Sequence, residues 1–285
     1  MSSAARLLAP APLLLSAAPR SLLAHDEGYY ALQARWIQLS GHWLAPLWWE
    51  KPLYDRTIGV PWLIAASQQL LGPSAWAAHL PSLLAALACL WITAQLGQQL
   101  LGPGQGWLSA LLLALTPLWL NYAHQASQDM PLLALELLGL WALLRASPGA
   151  AAIWPLLAGL WLGPAFLVKG FMAALPAAAL LPVLLLQRRQ LLRDGRFWGG
   201  LALGWLPVAL WLALSLQTYG PAVVGGLVDK LLFLSGSDTY SAGPFYYLWN
   251  IPANAAPWSL AAPAGLALML RTAGGRWPPT GPETG

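Results

Sequence analysis

The sequence is a succession of apolar runs, each close to the length that a helix needs to cross a lipid bilayer. About 20 apolar residues span the hydrocarbon core. Charged residues make up 8% of the 285 residues and hydrophobic residues 58%, whereas soluble domains carry about 25% charged residues. In lipid every backbone polar group must be satisfied internally, and a helix does this within one segment. The sequence therefore predicts an all-α polytopic membrane protein.

Eight segments fit a bilayer crossing. They are residues 6–24, 79–100, 106–123, 130–146, 151–168, 170–187, 197–217 and 245–270. A ninth stretch, residues 57–72, contains Pro61, two Gln and two Gly, and we expect it to lie at the interface. Residues 1–270 would then form one membrane domain with a first outer loop at residues 25–78, followed by a disordered polar tail at residues 271–285. A secretory signal is the alternative interpretation of the first segment.

The few charges sort by side if residues 57–72 do not cross and the N-terminus is cytoplasmic. Most arginines then face the cytoplasm, as the positive-inside rule prefers: Arg6, Arg145, Arg188, Arg189, Arg193, Arg196, Arg271 and Arg276. Most acids and all four His lie outside. If residues 57–72 crossed, Asp26 and Asp129 would fall on opposite faces. We therefore expect any chemistry on the extracytoplasmic side of the membrane. With no basic run before residue 188, nucleic acid is not an expected partner.

Residues 27–39 have the spacing of an amphipathic helix. The apolar stripe would comprise Tyr29, Leu32, Trp36 and Leu39. We expect this helix to lie on the outer leaflet at the mouth of a cavity, although an ordinary surface helix fits the same pattern.

Several acids and cations in the outer loops could carry chemistry. Asp26 and Glu27 directly follow the first apolar segment, where they could cap a helix or act as a general base. Asp129 is either a helix cap or a site acid, and Pro131 favours the cap. Lys169 is either a snorkelling residue or a phosphate ligand.

Residues 26–67 resemble the first outer loop of GT-C type glycosyltransferases, of the aminoarabinose transferase and protein O-mannosyltransferase kind. Further matches follow in order at His79-Leu80-Pro81-Ser82, Gln128-Asp129-Met130-Pro131 and Phe166-Leu167-Val168-Lys169-Gly170. Thr57-Ile58 departs from the family's Pro-Pro, and His79 and His124 stand where relatives carry Arg.

The resemblance implies an inverting transferase that moves a hexosyl or pentosyl group from a polyprenyl-phosphate donor to a lipid, glycan or protein hydroxyl. The implied site residues are the catalytic acids Asp26, Glu27 and Asp129, the phosphate cations Arg56, Lys51 and Lys169, and the supporting Tyr29 and His124. Arg56 is preferred to Lys51 because it stands six residues before Trp62, as the family's Lys does. In some relatives a divalent cation binds near the acid beside that Lys, which makes Asp55 and Glu50 the candidate metal ligands.

Two other hypotheses fit the composition. A transporter or lipid flippase would have charged groups on both sides or at mid-membrane, and broken helices near the midplane. Glu136 is the residue that matches this description. A truncated, inactive transferase is the other, since members of the resembled family continue with more helices.

Overall fold

The chain is almost entirely helical in its described part. The computed structural model describes residue 13 and residues 21–22, 26–49, 51–102, 104–236, 243 and 245–272. The α-helices are Asp26–Ser40 (α1), Gly59–Leu71 (α2), Ala75–Leu101 (α3), Gly106–Ala114 (α4), Pro117–Ala123 (α5), Asp129–Arg145 (α6), Ile153–Leu160 (α7), Leu162–Lys169 (α8), Ala174–Pro182 (α9), Gly195–Tyr219 (α10), Ala222–Gly236 (α11), Tyr246–Asn254 (α12) and Trp258–Thr272 (α13). Strand Leu47–Trp48 (β1) pairs antiparallel with Lys51–Pro52 (β2). The predicted all-α class is confirmed.

Short helical turns join the later helices. Gly170–Ala173 and Arg189–Arg193 are 3-10 turns, and Val183–Gln187 is a π turn. Local sequence sets several helix ends: the Ser74 hydroxyl accepts the Ala77 N–H at the start of α3, and the Asp194 carboxylate accepts the Arg196 N–H at the start of α10. These side chains satisfy backbone donors that have no partner within the helix.

The helices form a bundle with two distinct ends. At one, which we call the site end, Lys169 at the end of α8 contacts Asp129 at the start of α6. At the other, the arginine end, Arg188 donates to the carbonyls of Leu143 and Leu144 at the end of α6. Alternate helices therefore run in opposite directions between the two ends, as expected for a chain that crosses a bilayer repeatedly.

The helical run Ile153–Gln187 folds back on itself. Its 35 residues would extend about 50 Å if straight, yet Ala158 and Leu184 line the same cavity. The reversal occurs at Gly170, whose φ of 59° lies in the left-handed region. The segments predicted at residues 151–168 and 170–187 are therefore separate and antiparallel.

Helix α2 lies at the site end and does not traverse the bundle. It has 13 residues, or about 20 Å, against the roughly 30 Å of a hydrocarbon core. Its first residue, Gly59, packs on the backbone of Leu167, and the Ser67 hydroxyl donates to the Ala77 carbonyl at the start of α3. Both ends of α2 are thus held at the same end of the bundle, which supports the expectation that residues 57–72 do not cross.

Small residues allow α10 to pack closely against α7 and α8. Gly159 and Gly163 lie four residues apart, as do Gly200 and Gly204. A Cβ at any of these positions would overlap a carbonyl oxygen of the facing helix. Small residues at this spacing let backbones approach and are common where helices pack in membranes.

By length and composition, three described helical runs could cross a bilayer: Ala75–Leu101, Ile153–Gln187 and Gly195–Tyr219. The pair α4 and α5, bent by 75°, would make a fourth. The bend falls before Pro117, because proline disfavours helical geometry in the residue that precedes it. The segment predicted as a crossing over residues 245–270 is divided into two helices, α12 and α13.

Of the other predictions about the fold, the one for residues 27–39 falls on described residues. Those for the first crossing and for the tail fall mostly outside them. The helix predicted at residues 27–39 is confirmed as α1, but its predicted stripe is wrong: Leu39 is 62% exposed, whereas Tyr30, Ala34 and Ile37 are buried. The first predicted crossing, apart from residues 13 and 21–22, and the predicted tail beyond residue 272 lie outside the described residues.

Candidate functional site

An open cavity of about 660 Å³ lies at the site end of the bundle. The residues that line it come from segments far apart in the chain: Tyr29, Tyr30, Asp55, Arg56, Thr57, Tyr122, Ser127, Gln128, Asp129, Lys169, Gly170, Phe171, Met172, Leu227, Lys230 and Leu231. Its size is within the range of ligand pockets, about 300–1,000 Å³. The structure thus brings together five of the predicted site residues: Tyr29, Asp55, Arg56, Asp129 and Lys169.

Arg56 is fixed on one wall by two aromatic rings. Its guanidinium lies 4.5 Å from the ring centre of Tyr29 and 4.9 Å from that of Tyr30, and it donates a short hydrogen bond to the Tyr30 hydroxyl. The Asp55 carboxylate is 3.7 Å away. Burial opposes the charged form of Arg56, but Tyr30 and Asp55 outweigh it, so its pKa is raised. A permanently charged guanidinium with a fixed orientation suits an anionic ligand.

Tyr29 links Asp55 to the hairpin. Its hydroxyl donates to the Asp55 carboxylate at 2.7 Å, and its ring stacks on Trp48 of β1 with centres 4.7 Å apart. Burial, and then the hydrogen bond to Asp55, raise the pKa of Tyr29. The hydroxyl therefore stays protonated and acts as a donor that orients Asp55.

Also in the cavity lining, Lys169 and Asp129 form an ion pair. The Lys169 ammonium lies 2.6 Å from the Asp129 carboxylate, which also accepts the Ser127 hydroxyl at 3.0 Å. The two side chains are 28% and 36% exposed, so solvent screens the pair and its stabilisation is modest. Lys169 is close enough to the open space to exchange part of this contact for a ligand oxygen.

Glu27 does not line the cavity. Its side chain is 1% exposed, and its carboxylate lies 2.8 Å from the His79 ring nitrogen and accepts the Ala126 N–H at 2.9 Å. This network ties the start of α1 to α3 and to the loop before α6. Asp26 is the first residue of α1, and its side chain lies outside the described part. Glu27 is therefore placed to position the backbone of Asp26 and does not point into the open space.

Three more predicted residues lie away from the cavity or outside the described part. Lys51 is exposed in β2 and is not among the lining residues. The ring nitrogens of His124 lie 2.8 Å and 3.0 Å from the carbonyl oxygens of Leu120 and Leu13, so His124 joins backbone segments beside the cavity. Glu50, between the two strands, lies outside the described residues.

The metal prediction finds no support in the described part of the chain. No group of three His, Cys, Asp or Glu residues there could hold an ion. Asp55, the described candidate, already accepts from Tyr29 and faces Arg56.

The structure adds three cavity residues that the motifs did not single out. Tyr30 holds Arg56, and the Thr57 hydroxyl is buried in the wall without a hydrogen-bond partner. Lys230, on α11, lines the cavity and makes a cation–π contact with Phe233. Among the described residues no acid pairs with Lys230. In the sequence Lys230 was marked only by its charge in a segment predicted to lie outside the membrane, and no motif contains it.

Charges in the described part of the cavity wall leave a positive excess. Arg56, Lys169 and Lys230 face Asp55 and Asp129, so one cation is in surplus and attracts an anion. Glu136, the mid-membrane acid that a transporter would use, is not a lining residue. The described charged groups that line the cavity lie at one end of the bundle, and a transport pathway is not favoured.

A family model for dolichyl-phosphate-mannose-protein mannosyltransferases matches residues 55–213. Undecaprenyl phosphate-alpha-4-amino-4-deoxy-L-arabinose arabinosyl transferase 1 of Pseudomonas fluorescens is 29% identical over 264 residues, covering 89% of this chain and 48% of that protein. A transferase of the same description, without the final numeral, from Erwinia tasmaniensis is 28% identical over 268 residues, covering 88% and 47%. The chain thus spans about half the length of these relatives.

Two solved structures share the fold. The crystal structure of ArnT from Cupriavidus metallidurans bound to undecaprenyl phosphate superposes with a TM-score of 0.79 at 22% identity, covering 95% of this chain and 50% of that one. The apo form of the same protein gives a TM-score of 0.66 at 23% identity, covering 94% and 50%. The helical bundle is therefore the architecture of a known polytopic membrane protein.

Proposed function

The chain belongs to the dolichyl-phosphate-mannose-protein mannosyltransferase family, within the GT-C polyprenyl-phosphate-sugar glycosyltransferases, and we propose that it transfers a sugar from a polyprenyl-phosphate donor to a hydroxyl group. The reaction would take place in the cavity at the site end, on the extracytoplasmic side of a bacterial inner membrane. The acceptor would be the hydroxyl of a lipid, a glycan or a protein.

The observation that carries this proposal is that three cations, Arg56, Lys169 and Lys230, line one cavity. A departing phosphate needs donors that are already in place, because such donors cost no reorganisation as charge develops. Arg56 is held between two tyrosine rings, and its planar fork can make two parallel hydrogen bonds to phosphate oxygens. Lys169 and Lys230 approach the same space from other segments. The three cations together form a cradle for a phosphate group.

The relatives suggest which phosphate this is. The names of the arabinosyl transferases specify an undecaprenyl-phosphate-linked sugar as donor, and the fold match includes a structure bound to undecaprenyl phosphate. A polyprenyl chain is apolar and would remain in lipid, while its phosphate reaches the cavity. An opening at the end of a membrane bundle suits a ligand that has an apolar tail and a charged head.

Asp26 is the proposed general base. It would accept the proton of the acceptor hydroxyl as that oxygen attacks the anomeric carbon. The bond from this carbon to the phosphate oxygen breaks with its electron pair, and polyprenyl phosphate leaves onto the cations. Displacement from the opposite face inverts the sugar. Glu27, locked to His79 and Ala126, would fix the helix start that carries Asp26.

Turnover of a polyprenyl-phosphate sugar by purified full-length protein tests the proposal. Asp26→Asn should lower the rate by about 10²–10⁴, the usual contribution of a general base, while polyprenyl-phosphate binding remains. Arg56→Gln should instead weaken that binding by about tenfold to a hundredfold, because it removes a charge-assisted contact worth about 1.5–3 kcal/mol.

Arg35→Gln is the matched control, because Arg35 is an exposed arginine on α1 outside the cavity. It should change neither quantity. Full activity of Asp26→Asn, or donor binding that is indifferent to Arg56, would overturn the assignment.

A further inference from the structure

A second cavity lies at the arginine end of the bundle, on the side opposite the proposed transferase site. It is a groove of about 310 Å³ between α6, α7, α9 and α10, and it shares no lining residue with the first cavity. Every residue that lines it is Gly, Ala, Leu, Phe or Trp. Such a lining accepts a hydrocarbon chain and offers almost nothing to a polar ligand.

The groove is built from fixed parts. Gly139 lies against the ring of Trp161, where a side chain would not fit, and this contact shapes the floor. At the rim, the Trp198 indole N–H donates to the Leu192 carbonyl at 2.9 Å. Both Leu192 and Trp198 line the groove. Its mouth is therefore preformed by the turn Arg189–Arg193 and the start of α10.

That same turn carries two guanidinium groups that have no ion-pair partner among the described residues. Arg188 is committed to the carbonyls at the end of α6, and Arg196 pairs with Asp194 at 2.7 Å. Arg189 and Arg193 are exposed, and within the described part of the chain no acid lies within ion-pair distance of either. Arg193 directly follows Leu192 in sequence, and Arg189 precedes Leu192 by three residues. Two positive residues thus lie on the turn that contributes Leu192 to the lining of the groove.

We propose that this groove binds an anionic phospholipid from the leaflet at the arginine end. One acyl chain would lie in the groove, and the headgroup phosphate would bind Arg189 and Arg193. Guanidinium groups match phosphate geometry through paired hydrogen bonds. Basic pockets between membrane helices on the cytoplasmic side are known to bind anionic headgroups. The apolar lining and the unpaired arginines are both explained by one ligand with an apolar tail and an anionic head.

The position of the groove distinguishes this ligand from the donor lipid. A polyprenyl phosphate has the same division into apolar tail and phosphate, but its proposed phosphate site lies at the other end of the bundle. The positive charge beside the groove therefore favours an anionic lipid from the leaflet at the arginine end. Binding there would hold α6, α9 and α10 together where the loops are short.

Native mass spectrometry and thermal melting of the full-length protein in neutral detergent test this inference. Phosphatidylglycerol should remain bound and raise the melting temperature more than phosphatidylcholine with the same acyl chains. The double variant Arg189→Gln/Arg193→Gln should weaken phosphatidylglycerol binding by about tenfold to thirtyfold and abolish the preference. Arg271→Gln, at an exposed arginine outside the groove and its rim, should behave like wild type.

A photoreactive acyl chain on phosphatidylglycerol locates the tail. Labelling should fall on groove residues such as Leu181 and Leu201, and Ala177→Phe, which fills the groove, should reduce it. Melting without added lipid shows whether each variant is folded. If Ala177→Phe is not folded, Ala177→Leu takes its place. Equal binding of both lipids, an unaffected arginine variant, labelling elsewhere, or preferential labelling by undecaprenyl phosphate would each overturn the proposal.

Discussion

Replacement of Glu27 separates a positioning role from a catalytic one. The carboxylate is 1% exposed and accepts from His79 and from the Ala126 N–H. Glu27→Ala leaves both donors buried without this acceptor, at about 1–3 kcal/mol each, so we expect a loss of about 2–6 kcal/mol in the free energy of unfolding. Glu27→Gln keeps an oxygen that can accept both hydrogen bonds and gives up only their charge assistance, at about 1 kcal/mol.

The assay pairs thermal melting of purified full-length protein with steady-state turnover. Glu27→Ala should melt well below Glu27→Gln, and Glu27→Gln should retain turnover within about tenfold of wild type. A catalytic carboxylate would instead lose about 10²–10⁴ in rate on conversion to the amide. Arg35→Gln on the exposed face of α1 serves as the control. If Glu27→Ala melts like wild type, or Glu27→Gln is as inactive as Asp26→Asn, the positioning role is refuted.

Three further predictions concern packing, charge and pH. Gly200→Ala should destabilise by about 1–3 kcal/mol through overlap with the Leu156 carbonyl, whereas Gly199→Ala, which meets open space, should be neutral or slightly stabilising in the same melting assay. Lys230→Gln should weaken polyprenyl-phosphate binding by about tenfold or more, and Asp229→Asn on the exposed face beside it should not. Because the pKa of Tyr29 is raised, its contribution to stability is full below the ordinary value of about 10 and is lost as the pH rises from there towards the folded value. Tyr29 should therefore stay protonated below pH 10, and Tyr29→Phe should not shift any loss of rate that occurs on the alkaline side below that pH. Such a shift would contradict the raised pKa of Tyr29.

The sequence was sufficient to place helices but not to choose which face of a helix is buried. Helix α1 begins and ends within one residue of its prediction, yet the buried stripe contains Ala34 and Ile37 where Trp36 and Leu39 were expected. Hydrophobicity separates inside from outside only against water. In and beside a bilayer both faces can be apolar, and small residues mark the face that packs against other helices. Size, more than polarity, was the informative property.

The candidate site was predictable in its membership more than in its contacts. Motifs selected Arg56, Asp129 and Lys169, and the structure places all three around one cavity. They did not indicate that Lys169 pairs with Asp129, because the hydrogen bond joins residues 40 positions apart. They also passed over Lys230, whose neighbours in sequence match no motif. Contacts of this kind depend on how helices rotate about their axes, which local sequence does not specify.

The convergence of the cavity residues follows from the number of bundle traversals between them. From Arg56 to Asp129 the chain runs along α3 and returns along α4 and α5, and from Asp129 to Lys169 it runs along α6 and returns along α7 and α8. From Lys169 to Lys230 it runs along the segment after Gly170 and returns along α10. Each interval contains two traversals, so each returns to the same end. A crossing by α2 would have placed Asp26 and Arg56 together at the end of the bundle opposite Asp129, Lys169 and Lys230. The short length of α2 and its contacts with Leu167 and Ala77 are therefore what allow a base at the start of α1 and a phosphate cradle to serve one reaction.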